Sequence, residues 1–137
     1  MGNKDKLIVA FAHLMELQGS CSYETMSTLN IADLTIKQIE YITMMDKIEC
    51  LTTSSLAREL NLSKPTVTEM VKKFIYLDCV YKVQCSKDKR VSYIRLTPKG
   101  KTIANIERVK MEKLIELMIG SLEEADIETL VRILNKI

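Results

Sequence analysis

The most constraining feature of this sequence is a pair of helix-start signals that stand only eleven residues apart, at Thr52 and Ser63. Each hydroxyl can accept a hydrogen bond from a backbone amide in the first turn of a helix. Pro65 suits such a first turn because its missing N–H is not needed there. Asn61 tolerates the left-handed conformation in which helices often end. The spacing therefore predicts a short helix, a tight turn and a second helix.

The second helix is predicted from Ser63 to Leu77, because apolar residues recur on one side of it, at Val67, Met70, Val71 and Phe74. The segments 80–84 and 91–96 then show the β-branched and aromatic residues of two short strands. The loop between them, 85–90, carries three basic residues. A tight helix pair followed by such a hairpin predicts a winged helix-turn-helix.

Helix signals also flank this part of the chain. Thr35 and Gln38 have the spacing of a capping box, which predicts a helix that ends near Lys47. The polar stretch 19–33 predicts a connection, with a short helical piece as an alternative for part of it. Further helices are predicted from apolar periodicity at 4–18, 99–119 and 122–136.

The expected fold class is therefore mostly α with a small β-hairpin wing. Gly120 is expected to end the helix 99–119, and Ser121 and Glu124 have the spacing of a capping box for the last helix. With 137 residues, 47% apolar and 28% charged, the chain suits one folded domain, 1–137, whose winged helix-turn-helix lobe spans 35–98.

The charge of the chain is unevenly distributed, although the formal net charge is only +2. From Thr52 to Lys101 there are eleven basic and four acidic residues, whereas the rest has nine basic and fourteen acidic ones. A basic middle between acidic ends indicates that the middle meets a polyanion. The alternative is a lysine-rich surface that is merely solvated.

The cysteines and the single histidine, His13, argue against a metal site. The four cysteines, at 21, 50, 79 and 85, include no C-x2-C pair, so we expect no metal and no cofactor. No apolar run approaches the ~18–20 residues that cross a membrane, and no secretory signal is evident. We therefore expect a cytoplasmic protein with reduced thiols and no membrane partner.

Two sets of residues are candidates for contact with the polyanion. The exposed face of the second helix suits the major groove of DNA, where lysine donates to guanine or phosphate and threonine contacts a thymine methyl. An ordinary amphipathic helix is the alternative. Arg90 suits a narrow minor groove, and a bidentate pair with Asp88 would fix its direction, although surface pairs are often worth little. The candidates are Ser63, Lys64, Pro65, Thr66, Thr68, Glu69, Lys72, Lys73, Lys87, Asp88, Lys89 and Arg90.

Four short motifs follow one another along this part of the chain. Leu34–Gln38 reads L-T-x-x-Q, and Leu51–Ser63 reads L-T-x-x-x-L-A-x-x-L-x-L-S. Thr66–Thr68 reads T-V-T, and Asp88–Gly100 contains D-x-R and L-T-x-x-G. In this order and at this spacing the motifs resemble those of the MarR family of transcriptional regulators, up to about Ile106.

The resemblance implies a homodimer that binds a near-palindromic operator in double-stranded DNA and usually represses transcription. Its dimerisation helices would be 4–18, 99–119 and 122–136, which agrees with their surplus of apolar residues. Two-fold symmetry would set the recognition helices ~34–36 Å apart. Asp78 stands where the family commonly has Gly, and Lys82 replaces a common Arg. Glu69 stands where a basic residue is frequent, and it can accept from cytosine N4 or repel phosphate.

The family also implies a switch, either a small aromatic effector or an oxidant. His13, Tyr41 and Met45 are candidates to line an effector pocket, with a place in the core or an interface as the alternative. Cys85 is the candidate redox thiol, because nearby lysines would lower its pKa, and an incidental thiol is the alternative.

Two other classes of function are weighed against the regulator. A winged helix whose basic surface binds an acidic protein partner, as an anti-repressor would, is favoured by Glu69 on the reading face. An enzyme is not expected, because the chain has one histidine, no phosphate-binding loop and no Cys–His pair at a known spacing.

Overall fold

The computed structural model describes all 137 residues and confirms the mostly α-helical class with a small hairpin wing. It contains seven helices and one antiparallel two-stranded sheet. Along the chain these are α1 (Asn3–Leu29), α2 (Ile36–Met45), α3 (Thr53–Leu60), α4 (Lys64–Tyr76), β1 (Val80–Gln84), β2 (Ser92–Leu96), α5 (Pro98–Ala104), α6 (Ile106–Ser121) and α7 (Glu124–Leu134). The chain divides into two compact units, the lobe of residues 29–106 and a terminal unit of residues 1–28 and 107–137.

The helix-turn-helix forms where the capping signals predict it. The Thr52 hydroxyl accepts from the Ser55 amide at 3.1 Å, and the Ser63 hydroxyl accepts from the Thr66 amide at 3.3 Å. Asn61 is left-handed, with φ 54° and ψ 45°, so it ends α3 and turns the chain into α4. Caps of this kind contribute about 1 kcal/mol each.

The core of the lobe is built on the apolar side of α4. Val67, Val71 and Phe74 are almost completely buried, together with Leu56 and Ala57 of α3. The small Ala57 side chain fits the interior where the two short helices meet. These contacts fix which side of α4 faces the solvent.

The hairpin is attached to the helix-turn-helix through backbone contacts. The strands pair in the register Val80↔Leu96, and the Ile94 amide donates to the Leu51 carbonyl at 2.7 Å, just before α3. Asp78 makes the exit turn from α4 with φ 58°, which a short polar side chain tolerates better than most.

The terminal helices differ from the prediction in their bounds. α1 continues to Leu29, so the segment predicted as a connection is mostly helical. It contains no proline, and the Thr25 and Thr28 hydroxyls donate to carbonyls four residues earlier, which satisfies them within a helix. A polar composition was therefore a wrong guide to a break in the helix.

The predicted helix 99–119 is instead two helices, separated at Asn105. The Asn105 side chain donates to the Lys101 carbonyl at 2.8 Å, so it competes for a backbone acceptor and favours a break. Gly120 is helical and does not end α6. The N-cap of α7 is Glu123, whose amide donates to Asp126 Oδ2 at 3.2 Å, and the predicted Ser121–Glu124 box is wrong.

The terminal helices leave much apolar surface open in a single chain. The large apolar or aromatic side chains that are more than half exposed on α1 are Leu7, Ile8, Val9, Phe11, Met15 and Tyr23. The buried residues of the terminal unit are Cys21, Thr25 and Leu114. None of the helices combines the length and the apolar character that crossing a membrane requires.

Candidate nucleic-acid interface

The exposed side of α4 is organised around one ridge. Pro65, Glu69, Lys72 and Tyr76 are spaced by four, three and four residues, so they line up along the helix opposite its buried side, and all four are exposed. We call these four residues the outer ridge. It is the part of α4 that would reach furthest into a groove. Tyr76 was not among the predicted contact residues, although its spacing from Lys72 was visible in the sequence.

Several predicted contact residues beside the ridge have partners within the protein. The Ser63 and Thr66 hydroxyls lie 2.7 Å apart at the N-terminus of α4. The Thr68 hydroxyl donates to the Lys64 carbonyl at 2.9 Å, which leaves its methyl group as the outward contact. These bonds orient the short side chains, while Lys64 itself is exposed.

Lys73 connects α4 to α2. Its ammonium donates to Gln38 Oε1 at 2.9 Å, and the same oxygen accepts from the Thr35 amide at 3.1 Å. Gln38 is thus both a capping residue and a partner of α4. Sequence reasoning predicted the cap but missed the contact with Lys73, because the two residues are thirty-five positions apart.

Glu69 and Lys72 form an exposed ion pair at the centre of the outer ridge. Lys72 Nζ lies 3.2 Å from Glu69 Oε1. The Lys72 side chain is 66% exposed and the Glu69 side chain is 75% exposed. A pair this exposed contributes little to stability. Both groups are therefore free to exchange their contact with each other for contacts with a ligand.

The hairpin tip holds Arg90 in a defined direction. Arg90 Nε donates to Asp88 Oδ1 at 3.1 Å, and Nη2 donates to Asp88 Oδ2 at 3.2 Å. The Arg90 amide also donates to Asp88 Oδ1, at 3.0 Å. Hydrogen bonds from the Arg90 side chain and then its backbone lower the pKa of Asp88. The predicted bidentate pair is present, and the Arg90 side chain remains 90% exposed, with Lys87 and Lys89 exposed beside it.

Cys85 begins the loop of this tip, and its environment differs from the prediction. Hydrogen bonds from the backbone amides of Asp88 and Lys87, and then from the Tyr93 hydroxyl, lower the pKa of the Cys85 thiol. The cause is therefore local hydrogen bonding, whereas the sequence suggested nearby lysines. The other thiols are free as well, and burial raises the pKa of Cys79.

The three residues predicted for an effector pocket do not line one cavity of the lobe. A groove of about 570 Å³ lies between the end of α2, the segment that follows it and the sheet, and Met45, Tyr81 and Tyr93 are among its lining residues. Tyr41 does not line it but packs against the core of the lobe, with the Lys37 ammonium 5.7 Å from its ring centre. His13 is exposed on α1, in the terminal unit.

Two helices joined by a tight turn and followed by a two-stranded hairpin define a winged helix-turn-helix protein. The model of the MarR family matches residues 34–92. The lobe is therefore similar to the MarR family over these residues, and the resemblance seen in the four motifs is confirmed.

A curated relative and several solved structures are similar to this chain. The HTH-type transcriptional regulator YhjH of Bacillus subtilis, itself uncharacterised, is 27% identical over 82 residues, which are 60% of this chain and 47% of the relative. The chain thus spans about half the length of that relative. The S. aureus MepR–DNA complex matches with a TM-score of 0.59 and 19% identity over 96% of this chain and 95% of that one.

Two further structures have the same fold. The YusO protein of Bacillus subtilis has a TM-score of 0.62 and 17% identity, over 97% of this chain and 92% of its own. Streptococcus pneumoniae FabT in complex with DNA has a TM-score of 0.54 and 20% identity, over 98% of this chain and 94% of its own. At these identities the structural matches indicate a shared fold.

Proposed function

We propose that the protein is a transcriptional regulator that binds double-stranded DNA sequence-specifically. The observation that carries the proposal is the wing tip, where Asp88 holds an exposed Arg90 by two side-chain hydrogen bonds. A guanidinium fixed in this way suits the minor groove beside the major groove that α4 would enter. MepR and FabT, which share the fold, have been solved with DNA.

The charges of the lobe support a phosphate-binding role. Lys64, Lys87 and Lys89 are exposed on the same two elements as the reading residues, and none of them is in an ion pair. Contacts between lysine side chains and phosphates supply most of the affinity of DNA-binding proteins and orient them on the duplex.

We further propose that two copies pair through the terminal helices and bind a near-palindromic operator as a repressor. The apolar side chains exposed on α1 would be covered by a second copy, because a monomer rarely leaves so continuous an apolar surface in water. A two-fold pair would place two copies of α4 ~34–36 Å apart, which is one turn of DNA.

Release by a small aromatic effector belongs to the same proposal. The groove of about 570 Å³ in the lobe is of the size that binds small molecules, and Tyr81 and Tyr93 offer aromatic contacts there. The groove ends at the hairpin strands, so an occupant there would touch the element that carries Arg90.

One observation favours a second candidate function. The Glu69 carboxylate stands on the outer ridge, where it would repel DNA phosphate. An acidic protein partner that bound the basic wing and stayed away from α4 would avoid this repulsion. The two functions differ in whether the protein binds duplex DNA at all.

Selection from a library of random duplexes tests the proposal. The purified protein should enrich an inverted repeat whose half-sites lie about 10 base pairs apart, centre to centre. A substitution outside α4, the wing and the terminal helices, Lys47→Ala, should enrich the same repeat, because Lys47 is exposed just after α2. If the folded protein enriches no sequence, it is not a sequence-specific regulator.

A further inference from the structure

The ion pair at the centre of the outer ridge contains a carboxylate, Glu69, which would be unfavourable on a surface that only binds phosphate. Phosphates flank a helix that lies in the major groove, whereas the ridge opposite the buried side faces the base edges. Glu69 stands on that ridge, between Pro65 and Lys72. A carboxylate there lowers the affinity for every sequence except one that offers it a hydrogen-bond donor.

The base edges limit which donor can face Glu69. In the major groove guanine presents only acceptors, and thymine presents an acceptor and a methyl group. Adenine presents an amino group beside the acceptor N7, which repels a carboxylate. Cytosine presents its N4 amino group without an adjacent acceptor of its own. A carboxylate therefore selects cytosine.

Lys72 extends this selection to the other base of the pair. The cytosine N4 amino group is hydrogen-bonded to guanine O6 in the base pair, so the two atoms lie about 2.9 Å apart. Glu69 Oε1 and Lys72 Nζ lie 3.2 Å apart. The Glu69 acceptor and the Lys72 donor are therefore separated by a distance close to that between the N4 donor and the O6 acceptor on the edge of a C·G pair.

We propose that the Glu69–Lys72 pair reads one C·G base pair in each half-site, with Glu69 accepting from cytosine N4 and Lys72 donating to guanine O6. This inference rests on the proposed function, since it requires α4 to enter the major groove. It makes Glu69 a specificity-determining residue. The neighbouring hydroxyls of Ser63, Thr66 and Thr68 already have partners within α4 and its cap, so they do not compete for this base pair.

Selection with matched variants tests the inference. The wild-type protein should enrich C·G at one fixed position of each half-site, by about tenfold over the other pairs. Glu69→Gln should move the preference at that position to A·T, because an amide both donates and accepts and so matches adenine N6 and N7. Lys72→Met should weaken the preference for C·G without changing the preferred base.

The control is Glu40→Gln, which alters another exposed carboxylate that pairs with a lysine three residues away, on α2. It should leave the selected site unchanged. If the wild type selects a site whose bases are unaffected by Glu69→Gln, the inference is overturned while the proposed function stands. If the wild type binds no duplex, both are overturned.

Discussion

Arg90 is the residue on which the DNA-binding proposal depends most. Three hydrogen bonds join it to Asp88, two from its guanidinium and one from its amide, yet its side chain projects into solvent. Because an exposed ion pair adds little to folding stability, the main effect of the Asp88 contact is to fix the direction of the Arg90 side chain. Arg90 and Asp88 should therefore affect DNA binding much more than the stability of the fold.

Arg90→Ala should weaken binding to the selected duplex by about 1–3 kcal/mol, and Asp88→Asn should weaken it less, because the arginine remains but loses its orientation. Fluorescence anisotropy measures both losses, with Lys47→Ala, just after α2, as the control. Thermal unfolding should change little in either variant. An Arg90→Ala protein that binds as tightly as the wild type would remove Arg90 from the interface.

Cys85 offers a second test at the scale of single residues. Since hydrogen bonds lower the pKa of its thiol, more of it is ionised at pH 7 than of an ordinary thiol. Tyr93→Phe removes one of these bonds, so the pKa should rise and alkylation of Cys85 at pH 7 should slow.

The rate of Cys85 alkylation by iodoacetamide, followed by peptide mass spectrometry, measures this effect. The rates of the wild type and Tyr93→Phe should converge well above pH 9, where both thiols are ionised. Tyr81→Phe, on the neighbouring strand, is the control and should have no effect. Equal rates for the wild type and Tyr93→Phe at pH 7 would contradict the proposed hydrogen bond.

At the scale of elements, the lobe was predictable because its signals are local. Thr52, Ser63 and Asn61 each determine a helix end through bonds within a few residues, and all three act as predicted. The break at Asn105 and the continuation of α1 to Leu29 were not predictable in the same way. Both features depend on whether a side chain such as Asn105 or Thr25 hydrogen-bonds to a nearby backbone carbonyl, and the sequence alone permits more than one partner. The Gln38–Lys73 contact likewise joins two helices that are distant in sequence.

The junction between the hairpin and α5 allows a stability test. A Cβ on Gly100 would lie 2.0 Å from the Cys79 carbonyl oxygen, a backbone atom that cannot move aside freely. Gly100→Ala should therefore lower the free energy of unfolding by about 1–3 kcal/mol. Gly120→Ala is the control. A Cβ on Gly120 would have no other atom within 4 Å, and alanine favours a helix such as α6 more than glycine does, so this variant should be more stable by about 0.5–1 kcal/mol. Chemical denaturation measures both, and an unaffected Gly100→Ala protein would contradict the close approach.

At the scale of the whole molecule, the exposed apolar side of α1 predicts a dimer. Phe11 and Met15 lie four residues apart on this helix and are 52% and 66% exposed. Phe11→Glu should convert the dimer to a folded monomer, because it would place a charge in a buried apolar interface.

Analytical ultracentrifugation measures the change. The control, Ile36→Glu, alters an apolar residue that is 80% exposed on α2 of the lobe and should leave the dimer intact. A wild-type protein that sediments as a monomer would remove the terminal helices from the proposed interface.

The most direct test of the central proposal is the salt dependence of binding between the wild-type protein and a duplex selected from the library. If the basic residues of the lobe bind the phosphates, the association constant should fall as salt is added. Its logarithm should fall linearly with the logarithm of the salt concentration, with a slope of about −0.9 for each phosphate neutralised. Preference for the selected duplex over a scrambled one should persist along that line. A flat slope, or no binding by the folded protein, would contradict the account and favour a protein partner instead.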